Sequence, residues 1–248
     1  MNALLLAAAL IIPTVQADTS YLYRTLLVRA GPGSLLELIE MFKDRSAVYE
    51  ASGEGAPFIM RHSQGDHWDL LLIFPMGSFE DYYGPERTAR RAEAAAQSGM
   101  SEARFQHELG KHVAWREELY VLGPDLDAVS AMLNRGAYYH IEMFLALPGK
   151  RDELFKQREM ENEYLAYIDR PQNLIFTRAG GAAWDSYTLG VYRDLKHYAE
   201  SADIPEELQQ EAALAAGFEG ADRIGTYMRT LILKHNDTLG GRVMIGGR

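Results

Sequence analysis

Two stretches of the chain, GDHWDLLLIF (Gly65–Phe74) and GAAWDSYTLG (Gly181–Gly190), carry the same Gly-x-x-Trp-Asp pattern at the head of an apolar run. They stand 116 positions apart. Sliding the chain over itself by that distance pairs Tyr23 with Tyr139, Ala30 with Ala146, Pro32-Gly33 with Pro148-Gly149 and Glu37-Leu38 with Glu153-Leu154. Ile59 falls on Ile175, Gly65 on Gly181, Trp68-Asp69 on Trp184-Asp185 and Tyr82 on Tyr198. These are eleven identities without a gap, where ordinary residue frequencies give roughly four. A duplicated unit explains the match.

Each copy reads in the same order. YLYRTLLVRA from Tyr21 and YYHIEMFLAL from Tyr138 are rich in aromatic and aliphatic residues and predict strands. Pro-Gly ends each, and apolar residues at helical spacing follow, as at Leu35, Leu38, Ile39 and Phe42. PFIMRH and NLIFTR predict short strands. Glycine turns at Gly65 and Gly180-Gly181 connect them to strands that begin at the tryptophans, and the aspartates beside these tie the turns. Further helical segments and a last short strand close each copy. The order strand, helix, strand, strand, helix, strand is the ferredoxin-like unit. Such a unit leaves one sheet face bare, and two of them cover both faces by closing a barrel. The expected fold is therefore α+β, with two tandem ferredoxin-like βαββαβ repeats forming an intrachain dimeric α/β barrel. The first unit spans 18–124, a linker 125–136 and the second unit 137–248.

Residues 1–17, MNALLLAAALIIPTVQA, carry no charged side chain and end in small residues suited to cleavage after Ala17. They predict a signal peptide, and with it a periplasmic or secreted protein free of the membrane after cleavage. Ala3 to Ile12 is too short to span ~30 Å of hydrocarbon comfortably. Cysteine is absent, which excludes disulfides, thiol catalysis and thiolate metal ligation. The formal net charge of −10 opposes nucleic acid and anionic lipid. The expected partner is a small molecule, with a homo-oligomer as a further possibility.

YLYRTLLVRAGPGSLLELIEMF, HWDLLLIFPMGSFEDYY and HVAWREELYVLGP together resemble the dimeric α/β barrel superfamily, and within it NIPSNAP-type domains most. The resemblance covers both units and implies the fold. The superfamily includes small mono-oxygenases, haem-degrading enzymes and chlorite dismutase-like haem proteins. NIPSNAP-type domains bring no agreed catalytic residues to this chain.

Strand alternation sorts residues by face. Tyr138, His140, Glu142 and Phe144 share one face, and Tyr139, Ile141, Met143 and Leu145 the other. The wholly apolar face is expected against the helices and the polar one inside the barrel. The same reasoning puts Trp184, Ser186 and Thr188 inside, with Trp68, Leu70, Leu72, Phe74, Arg24, Leu26 and Val28 of the first unit. An apolar lining with a few convergent polar groups suits a small-molecule pocket. His140 and Glu142 are the candidate catalytic pair, because a carboxylate near an imidazole orients it and raises its basicity. Tyr138, Phe144, Arg178, Trp184, Ser186, Thr188, Trp68 and Leu72 are candidate ligand contacts, Arg178 by pairing with a carboxylate or phosphate.

No metal site or resident cofactor is expected. HELGKH (His107–His112) is one residue too long for the zinc signature. His62, Asp66, His67 and Asp69 have the residue types to hold a metal across the hairpin, and turn and exposed residues explain them as well. Four readings stay open. One is a NIPSNAP-like barrel binding a small, partly apolar ligand in its interior. The second is a cofactor-independent mono-oxygenase or isomerase using the His-Glu pair. The third is a haem protein with His140 or His235 as axial ligand, and the fourth a module for assembly.

Overall fold

A computed structural model describes residues 21–245; the segment read as a signal peptide lies outside them. The first unit runs β1 (Tyr21–Ala30), α1 (Leu35–Ala51), β2 (Phe58–Gln64), β3 (Leu70–Gly77), α2 (Phe79–Tyr83), α3 (Pro85–Gln97), α4 (Glu102–His112) and β4 (Val113–Gly123). A helix between the units, α5 (Leu126–Asn134), is capped by the Asp125 side chain. The second unit runs β5 (Tyr138–Ala146), α6 (Arg151–Tyr167), β6 (Leu174–Gly181), β7 (Ser186–Tyr192), α7 (Leu195–Ala199), α8 (Glu206–Ala215), α9 (Ile224–Arg229) and β8 (Ile232–Arg242). Pro85 at the start of α3 breaks what reads in sequence as one helix with α2. Among the described residues no helix is long and apolar enough to cross a membrane.

The eight strands close a barrel in the order β1-β3-β2-β8-β5-β7-β6-β4. Every pairing is antiparallel. Each unit contributes four adjacent strands. Its two outer strands pair with those of the other unit, β2 with β8 and β4 with β6, so no sheet edge is left open. The glycines of the repeated motif sit at these seams. Gly65 has φ +118, and a Cβ there would lie 2.1 Å from the Asp237 carbonyl oxygen. Gly181 has φ +92, and its Cβ would lie 2.4 Å from the Glu118 carbonyl oxygen. Only glycine allows both the backbone angle and the approach.

The aspartates of the motif have one task in both units. Strand register shifts between Arg29 and Ala30, and again between Leu145 and Ala146. Such a bulge frees an amide from the ladder. Asp69 Oδ2 accepts the Ala30 amide at 2.8 Å, and Asp185 Oδ2 accepts the Ala146 amide at 3.0 Å. The backbone N–H groups of Asp69 and Asp185 donate to Val28 and Phe144, each at 2.8 Å.

The barrel interior is packed. Thr25 of β1 and Tyr187 of β7 share a hydrogen bond of 2.8 Å, although two strands separate them around the wall. Tyr23 meets the Phe176 ring at 5.5 Å, again across the interior. Leu27, Leu71, Ile73, Tyr139, Ile141 and Met143 join this core, and Val129 and Leu133 of α5 pack into it. Trp68 and Trp184 belong to it too.

Apart from Trp68 and Trp184, which lie in the core as expected, the facing expected from sequence is therefore reversed. Tyr139, Ile141 and Met143, expected against the helices, fill the barrel together with Tyr187, Leu189 and Val191. Phe144 packs on Leu154 of α6 and Met228 of α9. Leu26, Val28, Leu70, Leu72 and Phe74 pack on Leu38, Ile39 and Phe42 of α1 and Phe105 and Leu109 of α4. His140, Glu142, Ser186 and Thr188 follow Phe144 by register, on the helix side. The physical reason lies on α6. Gln157 and Arg158 are buried on the same helical face as Leu154. Arg158 donates to Glu142 on the strand, and Gln157 accepts from Arg158, so the charged strand face finds its partner there. The apolar faces need no such partners and close on each other.

Candidate functional site

Antiparallel register builds the site on three neighbouring strands. Glu142 on the central strand β5 stands opposite Thr188 on β7 and Asp237 on β8. Phe144 stands opposite Ser186 and His235, and His140 opposite Gly190 and Leu239. Opposed residues share a face, so these side chains gather beneath α6. Leu154, Arg158 and Glu161 recur at helical spacing and point down onto them.

Glu142 is the centre of the cluster. Its Oε2 accepts from Thr188 Oγ1 at 3.1 Å and from Arg158 Nη1 at 3.4 Å. His235 Nε2 lies 3.3 Å from Oε1, off the line of a hydrogen bond. Burial alone would push this carboxyl up, but His235, Arg158 and His140 outweigh it and hold it at about 2. Arg158 donates to Gln157 Oε1 at 2.7 Å and to Glu161 Oε2 at 2.5 Å, and its guanidinium lies 4.8 Å over the Phe144 ring. The opposite face of the cluster is closed by the His235 ring, stacked on Phe144 at 4.9 Å and 7°. Burial pushes the Glu161 carboxyl up, against Arg158 and reinforced by the charge of Glu142.

His140 is the open end. Its Nε2 lies 2.6 Å from Asp237 Oδ1, and its side chain is 17% exposed. Burial would lower its pKa. The hydrogen bond to Asp237 and the charges of Glu142, Asp237 and Glu161 prevail and raise it above the ordinary value. The Asp237 contact occupies Nε2 and leaves Nδ1 as the ring's other nitrogen. Around it stands an aromatic rim. Tyr198 lies 5.4 Å from the His140 ring, 6.2 Å from Tyr138 and 5.1 Å from Tyr192.

The other candidates from sequence are placed elsewhere. Arg178 donates to Asp185 Oδ1 at 2.7 Å and braces the β6–β7 hairpin. Trp184 donates from Nε1 to Glu117 at 3.0 Å, with Lys234 4.3 Å over its ring. Trp68 is fully buried in the barrel core, and Leu72 lies under α1 of the first unit. Asp66 holds His67 Nδ1 and Asn236, both at 2.6 Å, as a turn residue would. Of the rim the sequence points to Tyr138 but not to Tyr192 or Tyr198, and it does not single out Arg158, Glu161 or Asp237. The signal for the α6 residues is the run QREMENE, which sets Gln157, Arg158 and Glu161 on the face that also carries Leu154.

His140, Glu142 and Asp237 each present one donor atom within 4.8 Å of the others, a spacing that admits a cation. The direct His140–Asp237 contact and the Arg158 guanidinium already satisfy these groups without one. For haem, His140 Nε2 is engaged by Asp237. His235 Nε2 makes no hydrogen bond but is buried 3.3 Å from the Glu142 carboxylate, with its ring stacked on Phe144, which leaves no room above the ring for a porphyrin. The arrangement instead has the make-up of an acid–base site. It combines a carboxylate-oriented imidazole, a buried anion beside it, and aromatic walls at its mouth.

Comparison with solved structures bears on the fold. An anthrone oxidase-like protein superposes with a TM-score of 0.59 at 13% identity, covering 92% of this chain and 94% of that one. A proposed monooxygenase from Lactobacillus acidophilus NCFM superposes with a TM-score of 0.50 at 7% identity, covering 90% and 94%. The chain is a tandem dimeric α/β barrel. At these identities the likeness is one of fold. No protein-family model matches the sequence, and no curated protein does.

Proposed function

We propose that this dimeric α/β barrel is a small-molecule enzyme of the cofactor-independent mono-oxygenase or isomerase kind, with His140 as general base. The observation that carries the reading is the 2.6 Å contact between His140 Nε2 and Asp237 on a ring that remains partly open beneath Tyr138, Tyr192 and Tyr198. Asp237 holds a proton on Nε2, and Nδ1 takes the proton from substrate. Glu142, held ionised, steadies the imidazolium that results. The tyrosine rim favours a flat, partly apolar substrate. An enolisable arene fits these demands, because its carbanion is stabilised by its own ring. The electron pair left on carbon is then available for reprotonation elsewhere on the skeleton or for reaction with dioxygen. The fold shared with an anthrone oxidase-like protein and a proposed monooxygenase supports this class.

The test is solvent-deuterium exchange into the benzylic methylene of anthrone and related hydroxyarenes, read by mass spectrometry, with oxygen uptake followed in parallel. Wild-type protein is expected to speed exchange. His140→Ala should reduce the rate about a hundredfold or more while the thermal melting curve stays nearly unchanged. Exchange that persists in His140→Ala, or no acceleration by wild type across the series, would overturn the reading.

The finer assignments belong to the same proposal. Similarity to NIPSNAP-type domains rests on the sequence stretches quoted above. Export with cleavage after Ala17 rests on the uncharged apolar leader. Mass spectrometry of the mature N-terminus from a host periplasmic fraction checks it: a start at Asp18 supports export, and an intact Met1 counts against it.

A further inference from the structure

The first unit holds a cavity in the same layer, between its sheet and helices α1 and α4. It measures about 440 Å³ and is walled by Leu26, Phe42, Tyr49, Phe74, Phe105 and Leu109, with Arg24 and Arg116 among its polar lining. The 116-residue shift that defines the repeat places Arg24 on His140, Leu26 on Glu142 and Phe42 on Arg158. Where the second unit fills this layer with an ion cluster, the first has aliphatic and aromatic walls and leaves space.

We propose that this cavity binds a small aromatic carboxylic acid, with Arg24 pairing to the carboxylate. The proposal is independent of the His140 reading. Arg24 Nε is buried and lacks a hydrogen-bond partner. The nearest anion, Glu118, stands 3.6 Å from Nη1, too far for a good hydrogen bond. A guanidinium carries five N–H donors and is seldom buried unsatisfied. Its planar edge matches a carboxylate through two parallel bonds. The charge balance suits one negative charge. Glu102 is neutralised by Arg45 at 2.5 Å, which leaves Arg24 and Arg116 against Glu118. A second negative charge on the ligand would meet Glu118, and this favours a carboxylate over a phosphate. The walls choose the body of the ligand. Phe42 and Phe105 meet edge to face at 6.3 Å, as do Tyr49 and Phe74 at 5.6 Å, and a planar ring between them extends both contacts.

Isothermal titration calorimetry of the whole chain with benzoate, phenylacetate and cinnamate tests the proposal. One site per chain is expected for at least one acid, with the matching amide binding more weakly. Arg24→Met should weaken binding about tenfold or more, the effect of a lost charged hydrogen bond. Arg24→Lys should fall between, and Phe42→Trp, which fills the cavity, should abolish binding. Circular dichroism confirms that each variant is folded. Should Arg24→Met prove unfolded, Phe42→Trp and the acid–amide comparison decide. Absence of binding by all three acids at millimolar concentration would overturn the proposal. So would affinity unchanged in Arg24→Met, or affinity lost in Arg158→Met and kept in Arg24→Met, since the acid would then sit in the second unit.

Discussion

Asp69 and Asp185 show how one carboxylate oxygen can secure a strand end. Each accepts the amide that a bulge releases, Ala30 in one unit and Ala146 in the other. Asp185→Ala leaves that buried amide unpaired and also frees Arg178 from its carboxylate partner. The expected loss is about 1–3 kcal/mol, read from the urea midpoint, with Asp185→Asn losing less. Glu142 makes a second prediction at this scale. Its folded pKa lies below the ordinary carboxylate value, so the stability it contributes is present above about pH 4.5 and fades as the pH falls towards 2. Urea titrations across that range should show wild type losing stability on acidification. Glu142→Gln should have a flatter curve there, and equal slopes would count against the assignment. The importance of the Trp-Asp pair was legible in the sequence because it occurs twice at a fixed spacing. Asp237 was not legible, since its partner His140 is remote in the chain and the contact depends on the pairing of β5 with β8.

At the scale of elements, strand alternation groups the residues that share a face within each strand, though not Trp68 and Trp184, which precede β3 and β7 and lie in the barrel core. It cannot say which face turns inward. Polar-out patterning guides that choice only when one face meets water. In β5 and β7 both faces are buried, one in the barrel and one beneath α6. A guide was nevertheless present in the helix. Shifted by 116, Leu26 and Phe42 of the first unit become Glu142 and Arg158 of the second. An apolar pair between strand and helix has become an ion pair at the same two positions, and that places Glu142 towards the helix. The same relation yields a double-mutant cycle. Glu142→Leu alone leaves Arg158, whose side chain is 2% exposed, short of an anion and should cost about 3–5 kcal/mol. Arg158→Phe alone should cost a similar amount. The double variant, which copies the first unit, should recover most of the loss, as measured by chemical denaturation. Additive losses would mean that the two residues do not form a unit.

Across the whole molecule, the repeat predicts the closed barrel and its seams, and the pairings β2–β8 and β4–β6 complete it. The sequence does not reveal that the interior would be filled by Tyr23, Tyr139, Phe176 and Tyr187. The size of a chamber depends on how side chains from both units interlock, and each strand read alone is silent about that. Filling the barrel moves the chemistry outward, to the layers between sheet and helices, and there the two units diverge. The second carries the ion cluster with His140 at its rim, and the first a cavity with an unsatisfied arginine. The claim on which this account depends is that His140 faces α6 and not the barrel interior. Histidine titration by NMR, with the His140 signal assigned through His140→Gln, tests it most directly. The account predicts a pKa above the ordinary 6.5 that falls in Asp237→Asn and in Glu161→Gln, the latter a change on α6, and that stays put in Tyr187→Phe inside the barrel. A titration that ignores Glu161→Gln and moves with Tyr187→Phe would contradict it.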